Sequence, residues 1–193
     1  MTATVSPASA STETAEAKIR PRGLIQRLIF WWVDSFEKQS GVSAEYCRWM
    51  ANASPRGFLK FGKLGKLAQY RRALPADASA VAHLVAARSE DCGPCVQIGI
   101  NLALRDGVSK DILRAVYDRQ PDRLPPNLAD VYHFAESVVS GGEDETLRQR
   151  IRDHYGDEAL IEMGLGMAVA RTFPLVKRTI GYAKSCSLTK IEI

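Results

Sequence analysis

Long apolar runs are missing from this sequence. No stretch approaches the ~20 apolar residues that a membrane-spanning helix needs. A basic start followed by an apolar segment is missing too. The opening MTATVSPASASTETAEAK is rich in Ala, Ser and Thr and has almost nothing to bury, so residues 1–18 are expected to form a disordered tail rather than a secretion signal. Cysteine is scarce, four in 193 residues, too few for a disulfide scaffold in a chain this long. A reducing cytoplasm is the expected compartment. Strands are also absent from the pattern, because the Val- and Ile-rich segments are short and sit inside helical periodicity. No short-period repeat is present. What remains is an expectation of one all-α domain over 19–193, with loops of a few residues and no linker long enough to separate two units.

The helices punctuate themselves. PRGLIQRLIFWWVDSFEKQSG starts at a proline and stops at Gly41, with Ile25, Leu28, Ile29, Trp32 and Phe36 at helical spacing. Ser43 is expected to cap a short second helix, and Pro55 to open a third that runs to Leu74-Pro75. On that third helix Phe58, Phe61, Leu64 and Ala68 share one face, and Arg56, Lys60, Lys63 and Arg71 the other. Asp77 is the expected cap of an Ala-rich helix to about Arg88. A fifth helix should start at the CxxC and end near Gly107, and a sixth at Ser109, stopped by Pro121. Another follows Pro125-Pro126, then one over EDETLRQRIRDHYG. A long final helix is expected from Asp157, with a kink at Pro174. That helix is apolar on nearly all sides up to Val176, which places it in the core or at a subunit interface.

Charge is uneven. Residues 20–72 carry eleven Lys/Arg against three acids, a net of +8, while residues 73–193 carry fourteen against seventeen, a net of −3. The basic aromatic region has two readings. Its apolar faces dock on the core and leave a solvated basic face, or it lies against a membrane surface. Trp31 and Trp32 are adjacent, so they cannot both face one core. The charge suits nucleic acid, but no nucleic-acid-binding motif accompanies it, and no such partner is expected.

The richest chemistry lies in EDCGPCVQIGIN, residues 90–101. Cys92 and Cys95 would sit at the N-cap and in the first turn of a helix, with Pro94 where its missing N–H costs nothing. Exposed N–H groups and the helix dipole favour an anion there, and a thiolate is that anion. Sulfurs three residues apart on one turn can also meet as a disulfide. Attack on a peroxide or disulfide, followed by resolution by the partner thiol, is the chemistry this pattern suits. Two alternatives stand beside it. The pair could be two buried structural thiols. It could be half of a zinc site, but there is no second CxxC, and Cys47, Cys186, His83, His133 and His154 lack metal-ligand spacing, so no metal is expected. Cys47 and Cys186 are most simply buried or incidental thiols. A thioredoxin fold is excluded because the segment before the motif, DASAVAHLVAARSED, is helical rather than a strand.

The helix, the CxxC opening a second helix, and then ALRDGVSKDILRAV together resemble the carboxymuconolactone decarboxylase family, and within it the alkylhydroperoxidase D-like branch. The likeness extends more weakly through LADVYHFAESVVSG and LRQRIRDHYGDEALIEMGLGMAVARTFPLVKRTIG, covering residues 74–182, with 19–73 an added N-terminal helical region. It implies an all-α fold assembling as trimers or hexamers. It also implies a dithiol that reduces peroxides without a bound cofactor and is re-reduced by a protein or lipoyl dithiol. The lactone decarboxylases generally do without the cysteine pair. The place of the branch's proton-relay His is Gly99, and that of its Glu is Ala80. Glu90 and His83 are the candidate proton acceptors in their stead, with Gln97 and Asn101 as hydrogen-bond donors. For Glu90 and Asp91, an acidic pair favoured by the helix dipole alone is the competing reading. The likeness makes Cys95 the attacking sulfur; the dipole alone favours Cys92. A non-catalytic interaction protein on the same fold, or a lactone decarboxylase-like enzyme, are the alternatives.

Overall fold

The computed structural model describes residues 19–182 and 191–193. The expected tail, residues 1–18, and Cys186 lie outside the described residues. The fold is all-α: no strand occurs among the described residues. Helix α1 (Leu24–Ser40) ends where Gly41 takes φ 66°, a left-handed conformation that only glycine adopts cheaply. Helix α2 (Glu45–Ala53) is not capped by Ser43. Its N-cap is Ala44, and Glu37 Oε1 accepts the Ala44 N–H at 2.6 Å, so a carboxylate from the preceding helix takes the place of a cap hydroxyl. Ser54 caps α3 (Pro55–Phe61) by accepting the Gly57 N–H at 3.0 Å. The single helix expected up to Leu74 is two, because α4 (Lys63–Ala68) starts anew after Gly62. Glycines at 57, 62 and 65 leave this stretch with little helix propensity of its own.

The second half follows its punctuation more closely. Helix α5 (Ala76–Ser89) starts after Pro75, and Asp77 lies in its first turn rather than at the cap. Helix α6 (Gly93–Arg105) starts at the cysteine pair, and Ser109 caps α7 (Lys110–Tyr117). That helix stops short of Pro121, because Arg119 turns the chain at φ 57° into a 3-10 turn, Pro121–Arg123. Helix α8 (Pro126–Val139) follows. Asp144 caps α9 (Glu145–Tyr155) by accepting the Leu147 N–H. Helix α10 (Asp157–Thr179) is preceded by Gly156 at φ 86°, begins with Asp157 as its first residue, and continues through Pro174.

Helices α5 and α10 pack along each other at the centre, with α6, α7 and α8 also laid on α5. The alanines of α5 make this close approach feasible: Ala78, Ala80, Ala82, Ala86 and Ala87 are all buried. By length and composition α10 could cross a membrane, although Glu162 and Arg171 interrupt it; it packs against α4, α5, α6 and α9 while Ile161 and Leu175 on it are each 60% exposed. Two hydrophobic clusters result. The larger joins α5 to α10 from Leu74 onward. The smaller gathers Ile29, Phe30 and Val33 of α1 with Tyr46, Ala51 and Phe58, and Ile180 and Tyr182 reach it from the far end of the chain.

Glu162 fastens one region to the other. It is almost fully buried on α10, and its carboxylate accepts the backbone N–H groups of Arg72, Ala73 and Leu74, the last at 2.7 Å. Burial alone would raise its pKa; these donors outweigh burial and hold it below the usual carboxylate value.

Candidate dithiol site

The turn EDCGP places the pair. Helix α5 ends at Ser89, Asp91 takes φ 48°, and Cys92 becomes the N-cap of α6 with Gly93 and Pro94 in its first turn. Asp is among the few non-glycine residues that tolerate this left-handed conformation. The Sγ atoms of Cys92 and Cys95 lie 2.7 Å apart, within closing distance of an S–S bond of ~2.05 Å. Cys92 is only 1% exposed, whereas Cys95 is partly open and faces a cavity of about 270 Å³.

Lys177 is a site residue that the motif does not announce. Its Nζ stands 4.0 Å from Cys92 Sγ and 5.3 Å from the centroid of the Tyr46 ring, and the residue is buried. No carboxylate pairs with it among the described residues. A buried ammonium needs an anion or a π-face beside it, and this one has a sulfur and a phenol ring. Lys177 shares a helix face with Phe173 and Ala170, four and seven residues before it, and only the packing of α10 shows that this face lines the cavity. Burial raises the Tyr46 hydroxyl well above its usual pKa, with neighbouring Cys47 adding to the effect. Burial likewise pushes Cys47 up to about 11, so it stays a neutral packed thiol at physiological pH.

His83 also faces the cavity, from α5. Ala80 and Gly99 line it too, so two positions that could have carried larger groups leave space instead. The imidazole occupies part of that space: a Cβ built on Gly99 would meet His83 Cδ2 at 3.2 Å and Leu84 Cδ2 at 3.1 Å. Burial lowers the His83 pKa, and a hydrogen bond donated to the Gly166 carbonyl opposes that only in part. The group is therefore a neutral imidazole at pH 7.

Glu90 is directed elsewhere. Its carboxylate accepts from Arg171 Nε at 2.8 Å and Arg178 Nη1 at 2.7 Å, and its backbone carbonyl accepts from Arg178 as well. Burial favours protonation, but the two guanidinium hydrogen bonds outweigh it and hold the pKa low. Both oxygens are engaged, so Glu90 clamps the α5–α6 turn to α10 and is a weak proton acceptor. Gln97 pairs with both the N–H and the C=O of Glu192, at 2.8 and 2.9 Å, and Asn101 donates to the Ser40 carbonyl; both amides tie chain segments to α6 rather than facing the sulfurs. His133 and His154 lie exposed on α8 and α9. Among the described residues no group of three or more His, Cys, Asp or Glu is placed to hold a metal ion.

The N-terminal region completes the cavity. Phe36, Tyr46 and Gln69 line it from that side, while Arg71 and Asp106, both also lining it, form an ion pair at 3.5 Å. The remaining wall is mostly apolar, including Leu102, Ala170 and Phe173. The site thus offers two adjacent thiols, one sealed beside a cation and one open to a chamber, with a neutral imidazole on the chamber wall. No family model, no curated protein and no solved structure matches the chain.

Proposed function

We propose that the protein is a thiol-dependent oxidoreductase that reduces a peroxide through Cys95 and Cys92. The observation that carries this reading is the arrangement of three atoms: Cys95 Sγ at the cavity, the buried Cys92 Sγ 2.7 Å from it, and Lys177 Nζ, of a residue that also lines the cavity, 4.0 Å from Cys92 Sγ. The resemblance to the alkylhydroperoxidase D-like branch supports it. In that resemblance the branch's His and Glu are absent; here Lys177 stands beside Cys92, and His83 lies on the wall of the cavity that Cys95 faces.

The chemistry balances without a bound cofactor. The Cys95 thiolate attacks one oxygen of the peroxide, the O–O bond breaks, and the leaving alkoxide takes a proton to become an alcohol. The Cys95 sulfenic acid is then attacked by the Cys92 thiolate, which forms the disulfide and releases water. Two thiols and a peroxide thus become a disulfide, an alcohol and water. An external dithiol, on a protein or a lipoyl group, returns the pair to thiols. Lys177 favours the anionic form of Cys92 for the second step, as do the first-turn N–H groups of α6. Cys95 is the attacking sulfur because it is the one the cavity reaches.

Peroxide consumption in the presence of a dithiol reductant is the test. The wild-type chain should turn over, and Cys92→Ser and Cys95→Ser should each abolish turnover. A wild-type rate in either variant would overturn the assignment.

A further inference from the structure

Helix α1 is apolar on two opposite sides, and among the described residues only one of them is covered. Ile29, Phe30 and Val33 face the smaller cluster, whereas Leu24, Ile25, Leu28 and Trp31 are 81, 62, 69 and 69% exposed, with Trp32 beside them at 49%. At 100° per residue, Leu24, Leu28 and Trp31 form one stripe, opposite Val33, and Ile25 and Trp32 border it. Five large side chains in one contiguous band are more than scattered surface hydrophobes. Residues 1–18 contain few side chains large enough to cover them.

The charges around the band are of one sign. Residues 19–33 include Arg20, Arg22 and Arg27 and no acid. Among the described residues these three make no ion pair, and all are exposed. The first acids that follow, Asp34 and Glu37, are both consumed by Arg48, at 2.5 and 2.6 Å. Cations around a helix N-terminus oppose the helix dipole, so the fold itself gains nothing from their position. Lys60, Lys63 and Lys66 add exposed positive charge on α3 and α4, and Phe58 of α3 contacts the Trp32 ring.

We infer that the outer face of α1 docks on an anionic lipid surface. The helix lies in the headgroup plane, with Leu24, Leu28 and Trp31 entering the acyl boundary and the arginines held at the anionic headgroups. Trp31 and Trp32 have the apolar body and polar tip that suit that boundary. The inference is independent of the dithiol chemistry: α1 meets the cavity only through Phe36, on another part of the helix from the exposed band of Leu24, Leu28 and Trp31.

Vesicle co-sedimentation of the full chain tests it, with phosphatidylcholine vesicles with and without phosphatidylglycerol. The chain should sediment only with the anionic vesicles and release as salt is raised. Leu28→Ser with Trp31→Ser should weaken binding about tenfold or more. Neutralising Arg20, Arg22 and Arg27 to Gln should weaken it about fivefold for each residue. Unchanged thermal melting of these variants keeps the result a surface effect. Absence of sedimentation, equal binding to phosphatidylcholine alone, or a concentration-dependent doubling of mass that Leu28→Ser with Trp31→Ser abolishes would each overturn the proposal, the last by assigning the face to a second copy of the chain.

Discussion

Helix α5 is buried along most of its length by α6, α7, α8 and α10, whereas α1 has, among the described residues, one side buried and the other exposed. Ala82, Leu84, Val85 and Ala86 of α5 are all 2% exposed or less, while Leu24 of α1 is 81% exposed. Both segments are apolar by composition. The difference is in what surrounds them: α5 packs against α6, α7, α8 and α10, and α1 chiefly against α2 and, lightly, α6. Burial on one side is enough to hold α1 in place and to close the cavity, so the N-terminal region works as a wall and a surface. The central region carries the sulfurs, the lysine and the imidazole. The two meet at Glu162 and again at Lys177, whose ammonium lies against Tyr46 of α2.

The seam is where this contrast breaks most severely. Glu162→Gln should cost about 2–4 kcal/mol, since it removes the ionised acceptor of three backbone donors in a buried place. The sign in pH follows from the lowered pKa. The stabilisation is complete above the unfolded value near ~4.3 and is lost as pH falls through the still lower folded value. Chemical denaturation across that range should show the acid dependence in wild type and less of it in the variant. A pH profile identical in both would remove Glu162 from the account.

Lys177→Met separates function from packing. Removing a buried charge and keeping the aliphatic length should leave stability near wild type or above it. Alkylation of the site thiols should move to higher pH, because the cation that favours the thiolate is gone. An unmoved profile would mean that the lysine only fills space.

A smaller effect concerns the chamber wall. Gly99→Ala should cost about 1–2 kcal/mol by overpacking against His83 and Leu84, and part of that cost should vanish in a His83→Ala background. Full additivity in denaturation would show that the imidazole does not occupy the space beside Gly99. Burial lowers the His83 pKa, so the unfolded chain binds the proton more readily than the folded one. Stability is therefore complete above ~6.5 and declines as pH falls toward the folded value. The smallest change belongs to the outer face of α1, where Trp31→Ser should alter stability by no more than about 0.5 kcal/mol.

Much of the helical order was legible because its boundaries are chemical. Pro55, Ser109, Gly41 and the Pro125-Pro126 pair act through local backbone geometry, which a sequence carries on its face. Ser43 and Asp77 have the chemistry of caps but are not caps, because Ala44, held by Glu37 of another helix, and Pro75 occupy those positions. The cysteine pair at a helix start was legible for the same local reason as the good boundaries. Glu90 and Lys177 were not, since each depends on which face of α10 turns toward the α5–α6 turn. Arg171 and Arg178 capture Glu90 across 81 and 88 residues of sequence, and Lys177 reaches Cys92 across 85. Gly99 marked a missing side chain, but only the packing of α5 on α6 shows that His83 stands beside it.

Counting site thiols by alkylation and mass spectrometry, before and after one equivalent of an organic peroxide, tests the central claim most directly. The account predicts that Cys92 and Cys95 are lost together as one disulfide and restored by a dithiol, while Cys47 is untouched. Persistence of both site thiols, or oxidation that leaves them unlinked, would contradict it.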